Sequence, residues 1–110
     1  MNAAGLTTVL AGVVAGLKHP APHKQLVASG KFSQSEINGT IENLEASLTT
    51  LRNTPHHAVD KLVAEYDAQL TQHLAKFQGE WTRDSQAAFH DAQALAGYIA
   101  VILAKSGVRK

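Results

Sequence analysis

The stretch TPHHAVDKLVAEYDAQLTQHLAKFQGEW, residues 54–81, carries Val59, Val63, Tyr66, Leu70, Leu74, Phe77 and Trp81 at spacings of 4, 3, 4, 4, 3 and 4. Val59, Leu70 and Trp81 lie eleven apart, as do Tyr66 and Phe77. An eleven-residue repeat holds one apolar stripe along a straight or slightly right-handed helix. Thr54 offers an N-cap and Pro55 a proline at the first helical position. Beyond Trp81 the stripe continues through Ser85, Ala88, Ala92, Ala96, Ile99 and Leu103. The pattern therefore predicts a helix from Pro55 to Lys105, about 50 residues and about 75 Å long, with Gly79-Glu80 as the place where it would break into two. Ser106-Gly107 ends it, and Lys105, Arg109 and Lys110 suit a helix C-terminus.

Immediately upstream a second helix is marked out. Ser33 is a candidate N-cap, Glu36 completes a capping box, and Phe32 can staple onto Ile37. From Gln34 to Asn53 the large apolar residues are Ile37, Ile41, Leu44, Leu48 and Leu51, a heptad seam. Further upstream, residues 3–17 carry no charge. As a helix they rise about 22 Å, short of the roughly 20 residues that span a bilayer core. No cation precedes the run, so it is a poor secretory signal. Ala4, Thr8, Gly12 and Gly16 recur every fourth residue and make one face of small side chains that another helix can approach closely. His19-Pro20-Ala21-Pro22 forms a hinge, and a short helix from about His23 to Ser29 ends at Gly30. No alternating apolar and polar run reads as a strand. The expectation is an all-α fold in two segments: an apolar and basic N-terminal part, residues 1–32, and a coiled-coil-like helical hairpin with a long C-terminal helix, residues 33–110.

The 110 residues are 45% hydrophobic and 17% charged, with no cysteine, which excludes disulfides, thiolate metal sites and cysteine nucleophiles. The net charge of +1 is a cancellation. Residues 1–32 hold Lys18, Lys24 and Lys31 and no acid; residues 33–104 hold nine acids against Arg52, Lys61, Lys76 and Arg83; the last six residues are again basic. An acidic body lies between basic ends. The short segment before Ser33, a glycine turn and the Ser33 helix resemble a helix-turn-helix in outline. The second helix, however, bears Glu36, Glu42 and Glu45 against a single distal Arg52, which opposes sequence-specific nucleic-acid reading.

Six histidines invite a metal or acid–base reading. His19 and His23 are separated by prolines, His56 and His57 have Asp60 within reach for two ligands at most, and His73 and His90 stand alone. Glu42 with Glu45, and Asp84 with Asp91, read as water-facing carboxylates without a catalytic partner. Phosphate-cradling glycine loops are absent, and Asn38-Gly39-Thr40 lies within a predicted helix. No catalytic residue, cofactor or metal site is expected, and an enzyme is the reading with least support.

Around the tryptophan, Leu74, Trp81, Ser85 and Phe89 have a spacing that resembles the WXG100 family of small secreted helical hairpins. That likeness covers about sixteen residues and implies a tryptophan, a small residue and a phenylalanine around an inter-helix turn, with an adaptor role. Arg83 stands where that family has glycine.

These features predict a non-enzymatic structural subunit that packs with itself or neighbouring subunits, for which a bacteriophage virion component (internal, tail or ejection protein) is one setting. The packing residues expected are Gly12, Gly16, Ile37, Ile41, Leu44, Leu48, Leu51, Tyr66, Leu70, Phe77 and Trp81. The alternative is a membrane-active protein that inserts residues 3–17, with the segment near 94–104 as a second candidate.

Overall fold

The chain is described by a computed structural model over residues 1–107; Arg109 and Lys110 of the basic tail lie outside the described residues. Six helices account for the fold, and no strand occurs among the described residues: α1 (Ala3–Leu17), α2 (Pro20–Ala28), α3 (Gln34–Arg52), α4 (His56–Glu65), α5 (Asp67–Glu80) and α6 (Ser85–Lys105). The all-α expectation holds.

Local chemistry sets most boundaries. The Asn2 side chain caps α1 by accepting from the Gly5 N–H. The two hinge prolines do not exclude helix: they occupy the first turn of α2, where a missing N–H costs nothing, so α2 begins at Pro20 and not near His23. Gly30 closes that segment with a φ of +72°, a conformation that glycine adopts without the penalty of a Cβ. Ser33 caps α3 through the Glu36 N–H at 3.0 Å. Glu36 does not complete the box; its carboxylate accepts from Gln93 of α6 instead. At the next corner α4 starts one residue later than predicted, with Pro55 itself as N-cap, because the Thr54 hydroxyl turns back to the Thr50 carbonyl at 2.6 Å.

The helix expected from Pro55 to Lys105 is interrupted twice. At Tyr66 the backbone leaves regular helical geometry (φ −101°, ψ 13°), separating α4 from α5. The second break, at residues 81–84, lies just beyond Gly79-Glu80. There Arg83 and Asp84 both donate backbone N–H groups to the Glu80 carbonyl. Asp84 then caps α6 by accepting from the Ala87 N–H, so a capping aspartate and not a glycine sets the stop. The longest dimension of the molecule is 41 Å, little more than half the length of the rod that an unbroken helix would make.

Folding back lets α5 and α6 pair antiparallel, with His73 beside Asp91 and Tyr66 beside Tyr98. Around this hairpin the helices form a ring: α1 packs on α3, α4 and α5, while α6 packs on α2, α3, α4 and α5. The N-terminus of α1 is tied to α4, where Asp60 accepts the Ala3 N–H at 2.7 Å. Its C-terminus meets the end of α5, where the Trp81 indole donates to the Gly16 carbonyl at 2.6 Å. Residues from both sequence segments share one core, including Leu6, Leu10, Leu17, Ile37, Leu44, Leu70, Phe89 and Ile99. The radius of gyration is 13.6 Å, close to the ~13 Å typical of a compact chain of this length.

Candidate functional site

The heptad seam of α3 and the stripe of α4–α5 both point inward. Ile37, Ile41, Leu44, Leu48, Leu51, Leu70, Phe77 and Trp81 are buried within the single chain, and Tyr66 is half-buried. Their apolar surface is consumed by α1 and α6, which is why the chain does not display the open seam that the sequence alone suggested. The α1 helix explains the remainder. Its Leu6, Leu10, Val13, Val14 and Leu17 face the core, so Ala4, Thr8 and Gly12 are turned to solvent. Gly16 is half-buried, and a Cβ there would lie 3.5–3.6 Å from Phe77 and Trp81. A Cβ on Gly12 would meet nothing within 4 Å.

Two seams run along α6. On the α3 side lies a cavity of about 900 Å³, an open groove between helices running in the same direction. The α3 wall contributes Thr40, Asn43, Ala46, Ser47 and Thr50; the α6 wall contributes Gln93, Ala96, Gly97, Ala100, Leu103 and Ala104. No lining residue is charged, and all but Gln93, Asn43 and Leu103 are small. Small side chains at successive turns do not reach across the space between the two helices, and it stays open as a groove. Thr40 and Thr50 bond back to their own helix, to the Glu36 and Ala46 carbonyls, which leaves their methyl groups as the wall chemistry.

On the α5 side the seam is filled. The His73 ring donates from Nδ1 to Asp91 Oδ1 at 2.7 Å and packs against Tyr98 with ring centroids 5.8 Å apart. Tyr98 meets Tyr66 at 5.9 Å. Lys105 closes the row, its ammonium 2.9 Å from the Tyr66 hydroxyl and over the same ring. That hydrogen bond, aided by the phenol's charge interaction, holds Lys105 above the usual lysine pKa. Contrary to expectation from the sequence, His73 is not isolated and Asp91 is not water-facing, since the hairpin brings together residues eighteen apart and buries Asp91. Three other acids are likewise occupied: Asp84 caps α6, Asp60 accepts from the first turn of α1 and not from a histidine, and Glu45 pairs with Lys18. Among the described residues no three histidine or carboxylate side chains converge to hold a metal ion.

Trp81, Ser85 and Phe89 do flank the α5–α6 turn, but Phe89 faces Phe32 at 4.7 Å, and four further helices surround the hairpin. No known protein family, curated protein or solved structure matches this chain. The class defined by the geometry is thus a small all-α bundle with a closed core and one open, uncharged groove.

Proposed function

We propose that this chain is a non-enzymatic helical assembly subunit, and that copies join head to tail by seating the outer face of α1 in the α3/α6 groove of the next copy. The observation that carries this reading is the match between the two surfaces. The groove is uncharged and built from small residues, and the solvent face of α1 (Ala4, Thr8, Gly12, Ala15) has the same chemistry over a helix of 15 residues. Charge supports the same pairing: α1 and α2 belong to a segment with three lysines and no acid, while the groove lies in the acidic body, with Glu36 toward one end, beside Gln93. Because the core is filled within one chain, the partner would be engaged by surface docking and not by supplying missing core. Contacts between unlike faces build rings or filaments, which suits repetitive particles such as a bacteriophage virion.

Light scattering of the purified chain tests this directly. Expected is a concentration-dependent series of oligomers, weakened by salt. Gly12→Leu, which damages only the α1 face, and Ala100→Glu, which damages only the groove, should each give monomers of unchanged helicity. Mixed together they retain one good face of each kind and should form a dimer and nothing larger. A wild-type protein that stays monomeric at high concentration overturns the reading.

A second reading rests on α6, whose 21 residues are apolar enough to cross a membrane, and on the uncharged outer face of α1. It requires the bundle to open, since the inner faces of both helices are core. Flotation with anionic vesicles should then carry the protein, and deletion of residues 1–17 should abolish binding.

A further inference from the structure

We propose that His73 is a phosphoryl-accepting residue whose Nε2 is the nucleophile and whose donor is a phosphoramidate. The argument begins with the tautomer. A carboxylate can only accept, so Asp91 fixes the proton of a neutral His73 on Nδ1 and leaves the lone pair on Nε2. Asp91 is itself held in place by burial, its side chain 12% exposed, and Tyr98 supports the ring from one side. Nε2 has no hydrogen-bond partner among the described residues, and none of their buried side-chain nitrogens or oxygens is unsatisfied; Nε2 therefore reaches solvent, in line with a side chain that is 23% exposed. Lys76 lies one turn further on the same side of α5, exposed and in no ion pair among the described residues, where its ammonium can neutralise an incoming phosphoryl group.

His73, Asp91 and Lys76 lie outside both the α3/α6 groove and the smaller pocket beside Lys18 and Glu45. With Nε2 open to solvent, the site fits a transfer to the protein from a donor in solution. In the step, the Nε2 lone pair forms a bond to phosphorus as the donor's P–N bond breaks. The donor nitrogen, already carrying its protons, leaves as a neutral amine. The ring, still protonated on Nδ1, becomes a phosphorylated imidazolium, and the Asp91 carboxylate stabilises that new positive charge.

The five other histidines provide the comparison within the same molecule. His19, His56, His57 and His90 are exposed, His23 is half-buried, and none has a carboxylate partner among the described residues. The intact chain is incubated with potassium phosphoramidate, and acid-labile, alkali-stable phosphate is mapped by mass spectrometry over time, with phosphorus NMR to identify the nitrogen. Expected is labelling of His73 on Nε2 at least tenfold faster than of any other histidine, loss of the fast phase in His73→Gln, and a drop of tenfold or more in Asp91→Asn at unchanged circular dichroism. Lys76→Gln should slow labelling severalfold. Labelling of His73 no faster than of the exposed histidines overturns the proposal in the wild-type protein alone, whatever the variants do.

Discussion

The two sides of α6 face equivalent tasks and meet them with opposite side chains. Toward α5 the helix presents Asp91, Tyr98 and Lys105, which reach across and close the seam with a hydrogen bond, ring contacts and a cation over a ring. Toward α3 only Gln93, at one end, reaches across to Glu36; beyond it Ala96, Gly97, Ala100 and Ala104 are too short to do so, and a groove remains. The difference is one of side-chain length and not of apolarity. It separates a seam that holds the monomer together from one that leaves surface for something else.

The largest effect is expected at the foot of the open side, where α6 meets the segment that leads into α3. Phe89 is fully buried against Phe32, so Phe89→Ala leaves a cavity beside Phe32 and is expected to cost about 3–5 kcal/mol. Urea unfolding followed by circular dichroism measures it. A loss below about 1 kcal/mol would mean that this end of the bundle is not closed as described.

Next comes the polar pair within the closed seam. Asp91→Ala removes the acceptor of the His73 Nδ1 proton and is expected to destabilise by about 1–3 kcal/mol, since the ring loses its partner while remaining partly buried. In the double variant with His73→Leu much of this loss should return, as both polar partners are then gone. Equal and additive losses in the two single variants would show that the pair is not coupled.

Much of this architecture was legible in the residues, and the exceptions share a cause. The helix seams, the Ser33 cap and the glycine stop at Gly30 follow from local spacing and from side chains that bond within four residues. What local pattern does not convey is who covers a stripe. The seams of α3 and α4–α5 read as open because α1 looked like a separate apolar element, yet Leu6, Leu10 and Leu17 are the covering layer. The small-residue face of α1 was visible in the sequence, and burial of the leucines is what turns it outward. His73 with Asp91 requires the reversal at residues 81–84, whose one local signal is Asp84, a capping residue type directly before the Ser85 helix. The α3/α6 groove left no sequence mark beyond alanines and threonines, which are ordinary in any helix.

A smaller effect tests the joint between α1 and the end of α5. Trp81→Phe keeps most of the buried ring and its stacking on Phe77, but loses the donor to the Gly16 carbonyl. That carbonyl still accepts the His19 N–H, so no acceptor is left bare. The expected cost is about 1 kcal/mol, read as a lowered urea midpoint with an unchanged slope.

The smallest change acts on the open side and has the opposite sign. Gly97 lies in the middle of α6 in the groove wall, and a Cβ there would meet nothing within 4 Å. Gly97→Ala restricts the unfolded chain and raises helix propensity without a clash, so it is expected to stabilise the monomer by about 0.5–1 kcal/mol. The same methyl group narrows the groove, so the variant should associate more weakly even as it unfolds at higher urea. Stability and assembly then move in opposite directions, which a change in overall folding cannot produce. A Gly97→Ala protein that is less stable than wild type would mean that α3 and α6 close on each other in solution, and the contrast between the two seams would fail.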